Sequence, residues 1–465
     1  MAGEYSATVS SRGLDQAPPS SGLRRLVVVL LNLLLVGSLV LFFALPGPQE
    51  RSYPQREPVR FWHMWSGEWK DVVDGIAAEF NKSQDKYEVI ALSVPGASAD
   101  YKFLLAVAGG DPPDCMAQWN QVIPAWADQG MLVPLDTLMS PAEWQDFQAS
   151  AYPVALKIGC YKGHLYGVTT GINIWGCYYN PAHLRDAGLD PDNFPTDLDE
   201  VWAWGQKLNR YDENGNLTRM GFLPGWCQMY VPVFGGSFYD PGADQVTIYT
   251  PANLHALTWL ADKHKELGYD KVVRFQSMLN TGGFSTEWPF ISGQYSITVD
   301  GQWRVEQLAK YAPDLKYRTA PIPPPKGGKP LAGWSNGNFM IIPKGARHVA
   351  GAWEFIKFWS GVENPERAAK FYTRGGWLPL SPKIARAPVY QEYLRKYPQF
   401  KTFLDVLPSE NIQTSAPVPY QVFLGDMIGR ADDFAMRGTL APAQALKDLE
   451  RNVAQEIERR RRFGL

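Results

Sequence analysis

Residues 59–81 read VRFWHMWSGEWKDVVDGIAAEFN, and residues 86–92 read KYEVIAL. Val59 to His63 is rich in the β-branched and aromatic residues of a strand. Trp65-Ser66-Gly67 then forms a loop. From Asp71 to Asn81, Val72, Val73, Ile76, Ala77 and Phe80 recur at helical spacing, and Tyr87 to Leu92 alternates as a second strand. A strand, a helix and a strand in this order predict a β-α-β unit, and hence a parallel sheet with helices on its faces. The pattern continues in a helix from about Ala99 to Ala108, closed by Gly109-Gly110, and a strand-to-helix passage from Asp114 to Gly130.

Further along, the reading changes to short strands between Gly159 and Tyr179. A helix follows over 197–209, then the turn Asp212-Glu213-Asn214-Gly215, and another helix over 251–266. Gln294 to Asp300 and Gly337 to Ile342 read as strands, with a Pro/Gly/Lys loop from Pro321 to Pro330 between them. The last element, Ala443 to Arg462, sets Leu446, Leu449, Val453 and Ile457 on one helical face. A chain of 465 residues exceeds one ordinary core, which predicts a two-lobed body.

On the N-terminal side, Leu26 to Leu45 is an uncharged apolar run of about bilayer length preceded by Arg24 and Arg25. The positive-inside rule then places everything after Pro46 outside the cytoplasm. The exit Phe43-Ala44-Leu45-Pro46 lacks a small-x-small cleavage site and no cysteine follows to carry a lipid, so a retained helix is predicted. The expected division is a disordered cytoplasmic tail over 1–25, a transmembrane helix over 26–45 and a linker over 46–57. Lobe 1 takes 58–165 with 300–360, and lobe 2 takes 166–299 with 361–465.

Composition narrows the function. Apolar residues are 45% and charged residues 20%, as in a packed globular protein, and a net charge of −2 offers no basic field for nucleic acid. The 17 Trp, 22 Tyr and 22 Phe supply flat rings beyond the needs of a core. The four cysteines form no C-x-x-C pair, which argues against a zinc ribbon. Cys160 and Cys177 flank a strand-like stretch and are the pair that could approach each other; buried free thiols are the other reading. No phosphate-binding G-x-x-x-x-G-K-[ST] loop and no H-E-x-x-H is present, so neither an ATPase nor a metal site is indicated, and no cofactor is expected.

Gly333-Trp334-Ser335-Asn336-Gly337 matches the G-x-S-x-G nucleophile elbow. That elbow turns from strand into helix, whereas Asn338 to Pro343 continues as a strand, and no acid separates Ser335 from the only downstream histidine, His348. Asp212 to Asn216 resembles a calcium loop with its glycine misplaced, so a hairpin turn is expected. Glu287 and Asp300 are the pair a glycosidase would need to face each other.

Four segments in order carry a resemblance. They are residues 59–81 above, GGDPPDCMAQWNQVIPAWADQGMLVPLD (109–136), YKGHLYGVTTGINIWGCYYNPAHLRDAGLD (161–190), and the run from Ile291-Ser292-Gly293 through Asp300-Gly301-Gln302-Trp303 to APIPPPKGG and Ala352-Trp353-Glu354-Phe355-Ile356. Together they are similar to the family 1 extracellular solute-binding proteins of ABC importers. The resemblance implies an α/β, two-lobed periplasmic-binding-protein fold of class II type, here preceded by a single N-terminal transmembrane helix. It implies lobes that close on a ligand, a carbohydrate as that ligand, docking on membrane permease subunits, a monomer, and no catalysis. A membrane-tethered glycan-active enzyme and a ligand-sensing partner of a signalling protein are the alternatives.

Sugar rings stack on Trp and Tyr, and their hydroxyls need polar partners. Loops at strand ends are where open α/β sheets bind ligands. The ligand-binding residues expected there are His63, Trp65, Glu68, Trp119, Asn120, Thr170, Asn173, Trp226, Trp303, Trp334, Ser335, Arg374 and Trp377. Trp334-Ser335, set between Gly333 and Gly337, is the leading pair.

Overall fold

A computed structural model describes residues 21–44, 51–94, 98–279 and 288–463. The tail 1–20, residues 45–50, Glu287 and the side chains of Arg24 and Arg25 lie outside them. The chain divides into two units, Met1–Pro54 and Gln55–Leu465. In the first, α1 (Ser21–Ala44) is one helix that leaves Leu30, Leu31, Leu33, Leu34 and Leu35 exposed. Among the described residues no helix is long and apolar enough to cross a membrane.

The second unit is built on a ten-stranded sheet. Its opening is the predicted β-α-β unit: β1 (Glu57–His63), α2 (Gly67–Ser83) and β2 (Tyr87–Ser93), with β1 and β2 parallel. β1 starts two residues before the expected Val59 and takes in the end of the expected linker. Asn81 ties α2 down: its Oδ1 accepts from Val89 N at 2.7 Å and its Nδ2 donates to Val89 O at 3.0 Å, so the amide acts as a strand neighbour. β3 (Cys115–Trp119) lies parallel to β1 on the other side. Buried Asp114 accepts from Arg60 N, Arg347 N and His348 N at 2.8–2.9 Å, joining β1 to the chain leading into a helix at Val349–Ser360.

Beyond β3 the sheet departs from the all-parallel expectation. β4 (Val168–Tyr179), β5 (Leu217–Phe222), β6 (Tyr295–Gly301) and β7 (Gly333–Ile341) complete the order β2-β1-β3-β7-β4-β6-β5, continued by the short strand Arg210–Tyr211. β7 is antiparallel to both β3 and β4, and β4 is antiparallel to β6. The reason is that β7 returns from the second half of the chain and inserts between strands of the first. β4 is long enough to pair with β7 through Val168 to Ile174 and with β6 through Trp175 to Tyr179, so one strand runs through both halves of the sheet.

Two apolar cores sit on this sheet. The first gathers Val59, Phe61, Phe80, Phe103, Phe355 and Trp359. The second gathers Trp202, Phe222, Tyr230, Trp259, Leu424 and Leu449. Each fully buried side chain of this size contributes on the order of 2 kcal/mol. The predicted terminal helix is present as Pro442–Phe463 and buries Leu446, Leu449 and Val453. The cores divide the chain differently from the expected lobes. Residues 361–412, expected in lobe 2, supply Ala368, Phe371, Tyr372, Phe400, Phe403 and Ile412 to the first core, while Ile322 and Ala332, expected in lobe 1, join the second. The cause is tertiary: Phe371 packs on Phe358, and Phe403 on Tyr178 of β4.

The turn at Asp212 is a hairpin, its carboxylate accepting from Asn214 N and Asn216 N. All four cysteines are free thiols, so Cys160 and Cys177 are not bridged. Cys177 points into the second core, while Cys160 pairs with Leu165 in a separate two-stranded ribbon.

Candidate functional site

Successive residues of a strand face opposite sides of the sheet. On one face, β4 presents Gly171, Asn173 and Trp175, and β7 presents Trp334, Asn336 and Asn338. A cleft of about 510 Å³ opens over the Asn173 and Asn338 part of this face. Trp65, Trp69, Trp119, Trp303, Trp377 and Tyr311 wall it; Asn173, Gln302 and Asn338 supply its amides; Glu68 and Lys310 carry its charge.

The walls are held by packing. Trp65 stands 5.5 Å from Trp359 and 5.6 Å from Trp377, centroid to centroid. Trp377 approaches the backbone of β4 closely at Gly171, where a Cβ would meet the indole at 3.2 Å. Trp69 Nε1 donates to Gly375 O at 3.1 Å. The amides form a chain. Gln302 Nε2 donates to Asn173 Oδ1 at 3.0 Å, Gln302 Oε1 accepts from Ile174 N at 3.0 Å, and Asn173 Nδ2 donates to Asn336 Oδ1 at 2.8 Å. Lys310, on α3 (Arg304–Tyr311), forms an ion pair with Glu68.

Of the residues expected at the site, the structure brings together Trp65, Glu68, Trp119, Asn173, Trp303 and Trp377. The others lie elsewhere, each for a stated reason. His63 shares the inward face of β1 with Val59 and Phe61 and is fully buried. Both its ring nitrogens lack a partner, and burial lowers its pKa from 6.5 to about 4, so it is neutral near pH 7. Asn120 is spent on the backbone, its Oδ1 accepting from Gly337 N. Thr170 is the extra residue of a β-bulge and donates to Asn338 O.

The leading pair is split by alternation, because neighbours in one strand point to opposite faces of the sheet. Ser335 points away, fully buried, with Oγ donating to Asn173 O at 2.9 Å. Trp334 is on the cleft's sheet face but lies farther along, 5.1 Å from Trp175, and lines a separate small recess. Trp226 is exposed before the short helix Cys227–Tyr230, and Arg374 pairs with Glu79.

Sequence reasoning missed Met64, Ser66, Gly67, Trp69, Gln302, Lys310, Tyr311 and Asn338. Met64 to Trp69 are one continuous stretch, a short loop and the first turn of α2, that was available from Trp65 and Glu68, and Asn338 follows Trp334 at strand parity. Lys310 and Tyr311 depend on where α3 docks and carry no local signal.

Ser335 lies within β7, in a strand rather than at a strand-to-helix elbow. Asp300 is absent from the cleft lining; Gly301 N donates to it and Arg304 pairs with it at 2.7 Å. Burial raises its pKa, with Arg304 acting in the opposite sense.

The bacterial extracellular solute-binding protein family matches residues 75–402. The arabinooligosaccharide-binding protein of Bacillus subtilis (strain 168) is 23% identical over 322 residues, covering 64% of this chain and 66% of that protein's own length. The sn-glycerol-3-phosphate-binding periplasmic protein UgpB of Escherichia coli (strain K12) is 22% identical over 354 residues, 70% of this chain and 74% of that protein. Among solved structures, CpMnBP1 with mannobiose bound is similar with a TM-score of 0.73 and 27% identity, covering 85% of this chain and 99% of that one. The sugar-binding protein MalE from Xanthomonas citri shares the fold, with a TM-score of 0.70 at 20% identity over 87% of this chain and 98% of that one. These relatives are binding proteins, and their shared architecture is a two-lobed α/β body. By the match across most of its length, this chain belongs to the bacterial extracellular solute-binding proteins.

Proposed function

We propose that this protein is the carbohydrate-binding component of an ABC importer and that it holds its ligand in the tryptophan-walled cleft. The observation that carries the reading is the lining itself: five tryptophans beside three amides, with Lys310 bound to Glu68. Indole faces suit the C–H faces of a sugar ring, and amides suit its hydroxyls. A phosphate ester would call for an unshared cation. The one cation of the described lining, Lys310, is held by Glu68, which favours a sugar over a phosphate ester.

The lining comes from the loop after β1, the first turn of α2, β3, β4, β7 and the chain around α3 and Trp377, and none of it from the helices of the second core. We read this as an open form that the second lobe closes on binding, before a monomeric receptor docks on its permease. The uncharged run Leu26 to Leu45 after Arg24 and Arg25 supports a single-pass anchor with the body on the outer side. Protease protection in intact cells checks that orientation.

Thermal unfolding of the exported body with mannobiose, maltotriose, arabinotriose or sn-glycerol 3-phosphate tests the ligand class, since a ligand of the folded state raises Tm. A rise with a sugar and none with the phosphate ester is expected. A rise with the phosphate ester alone would overturn the carbohydrate reading.

A further inference from the structure

Asn338 stands apart from the other amides on the cleft floor. Asn173, Asn336, Gln302 and Asn120 all hydrogen-bond within the protein. Asn338 is 4% exposed and lines the cleft, yet its Oδ1 has no partner. A buried amide oxygen left unpaired is unfavourable, and native proteins rarely tolerate one without a purpose.

Its backbone is fixed from three sides. Asn338 faces Trp119 of β3 and Gly171 of β4, opposite a bulge in which Thr170 is the extra residue of β4. Its carbonyl accepts from Thr169 Oγ1 at 3.2 Å and Thr170 Oγ1 at 3.4 Å. The side chain is therefore carried on an immobile strand between two aromatic surfaces, Trp119 beside it and Trp377 over Gly171. Such preorganised acceptors discriminate strongly, because a ligand without the matching donor leaves them desolvated and unpaired.

We propose that Asn338 is a specificity-determining residue, its Oδ1 accepting a hydrogen bond from one hydroxyl of a sugar ring seated against the adjacent indoles. The proposal rests on the carbohydrate reading above and adds the atom that selects among sugars.

The test uses Asn338→Leu and Asn338→Ala in the exported body, with the sugar among mannobiose, maltotriose and arabinotriose that raises the wild-type Tm. Calorimetric titration is expected to show about a 10- to 100-fold weaker Kd for both variants. The ligand-free Tm of the leucine variant is expected to be no lower than that of wild type, because no protein hydrogen bond is lost. Wild-type affinity in both variants would overturn the proposal and leave the carbohydrate reading standing. Failure of every sugar to bind wild type would remove the carbohydrate reading, and this proposal with it. A fall in the ligand-free Tm with unchanged Kd would assign Asn338 a structural role instead.

Discussion

The two cores both bury ionisable side chains, but with opposite consequences and different access to the ligand. In the first, His63 sits 5.9 Å from Trp65, which itself walls the cleft. In the second, Asp432 lies on the helix Gln421–Met436 and accepts from Cys227 N at 2.8 Å, away from the cleft lining. Burial disfavours the charged form of both, pushing His63 down to about 4 and Asp432 up to about 7. The first core is thus at once a stability element and the back wall of the proposed cleft, whereas Asp432 in the second core lies away from that wall.

Trp377→Ala is the strongest way to probe that double role. It removes a nearly buried indole that packs on Trp65 and Trp359, and is expected to cost about 3–5 kcal/mol in urea unfolding and to abolish sugar binding. Trp226→Ala, at an exposed ring, should stay within about 0.5 kcal/mol. Equal losses would break the distinction.

Asp432→Asn addresses the second core. The native state keeps a proton that the unfolded chain releases above 3.8, so this group's contribution is full below pH 3.8 and is lost as pH rises through about 7. The variant should flatten stability between pH 4 and 7 and gain up to roughly 4 kcal/mol at pH 8, with sugar affinity unchanged.

His63→Phe addresses the first core with the reverse sign. The unfolded chain takes up a proton between pH 6.5 and 4 that the buried imidazole refuses, so its contribution is full above pH 6.5 and lost as pH falls toward 4. The variant should be more stable than wild type by up to roughly 3 kcal/mol at pH 4. Because Trp65 leans on residue 63, sugar affinity should also change, which Asp432→Asn should not do.

Among changes at the cleft, the smallest effect is expected from Gly171→Ala. Its Cβ would press on the Trp377 indole at 3.2–3.3 Å. The ring must give by a few tenths of an ångström toward the cleft, costing about 1 kcal/mol and lowering affinity several-fold. An unchanged Kd would show that the position of Trp377 is not critical.

Much of the architecture was legible from local pattern. Val72 to Phe80 read as a helix and Tyr87 to Leu92 as a strand because burial on one face imposes periods of 3.6 and 2. The terminal helix was found through Leu446, Leu449 and Val453 for the same reason. That alternation also contained the correction for His63, which shares parity with Val59 and Phe61, and for Ser335, which cannot share a face with Trp334. Those residues were chosen by type and loop position, and type does not say which way a strand side chain points.

The amino-acid sequence by itself determined the opening β-α-β unit, the terminal helix, the aromatic supply and the resemblance of four segments to one family, because these depend on neighbours along the chain. Tertiary structure alone decided that β7 inserts antiparallel between β3 and β4, that residues 361–412 pack into the first core, and that Lys310 meets Glu68 across 242 positions. It also decided that Asn338 is left with a buried, unpartnered acceptor at the cleft floor. These are pairings between distant segments, selected by burial of whole surfaces rather than by any local signal.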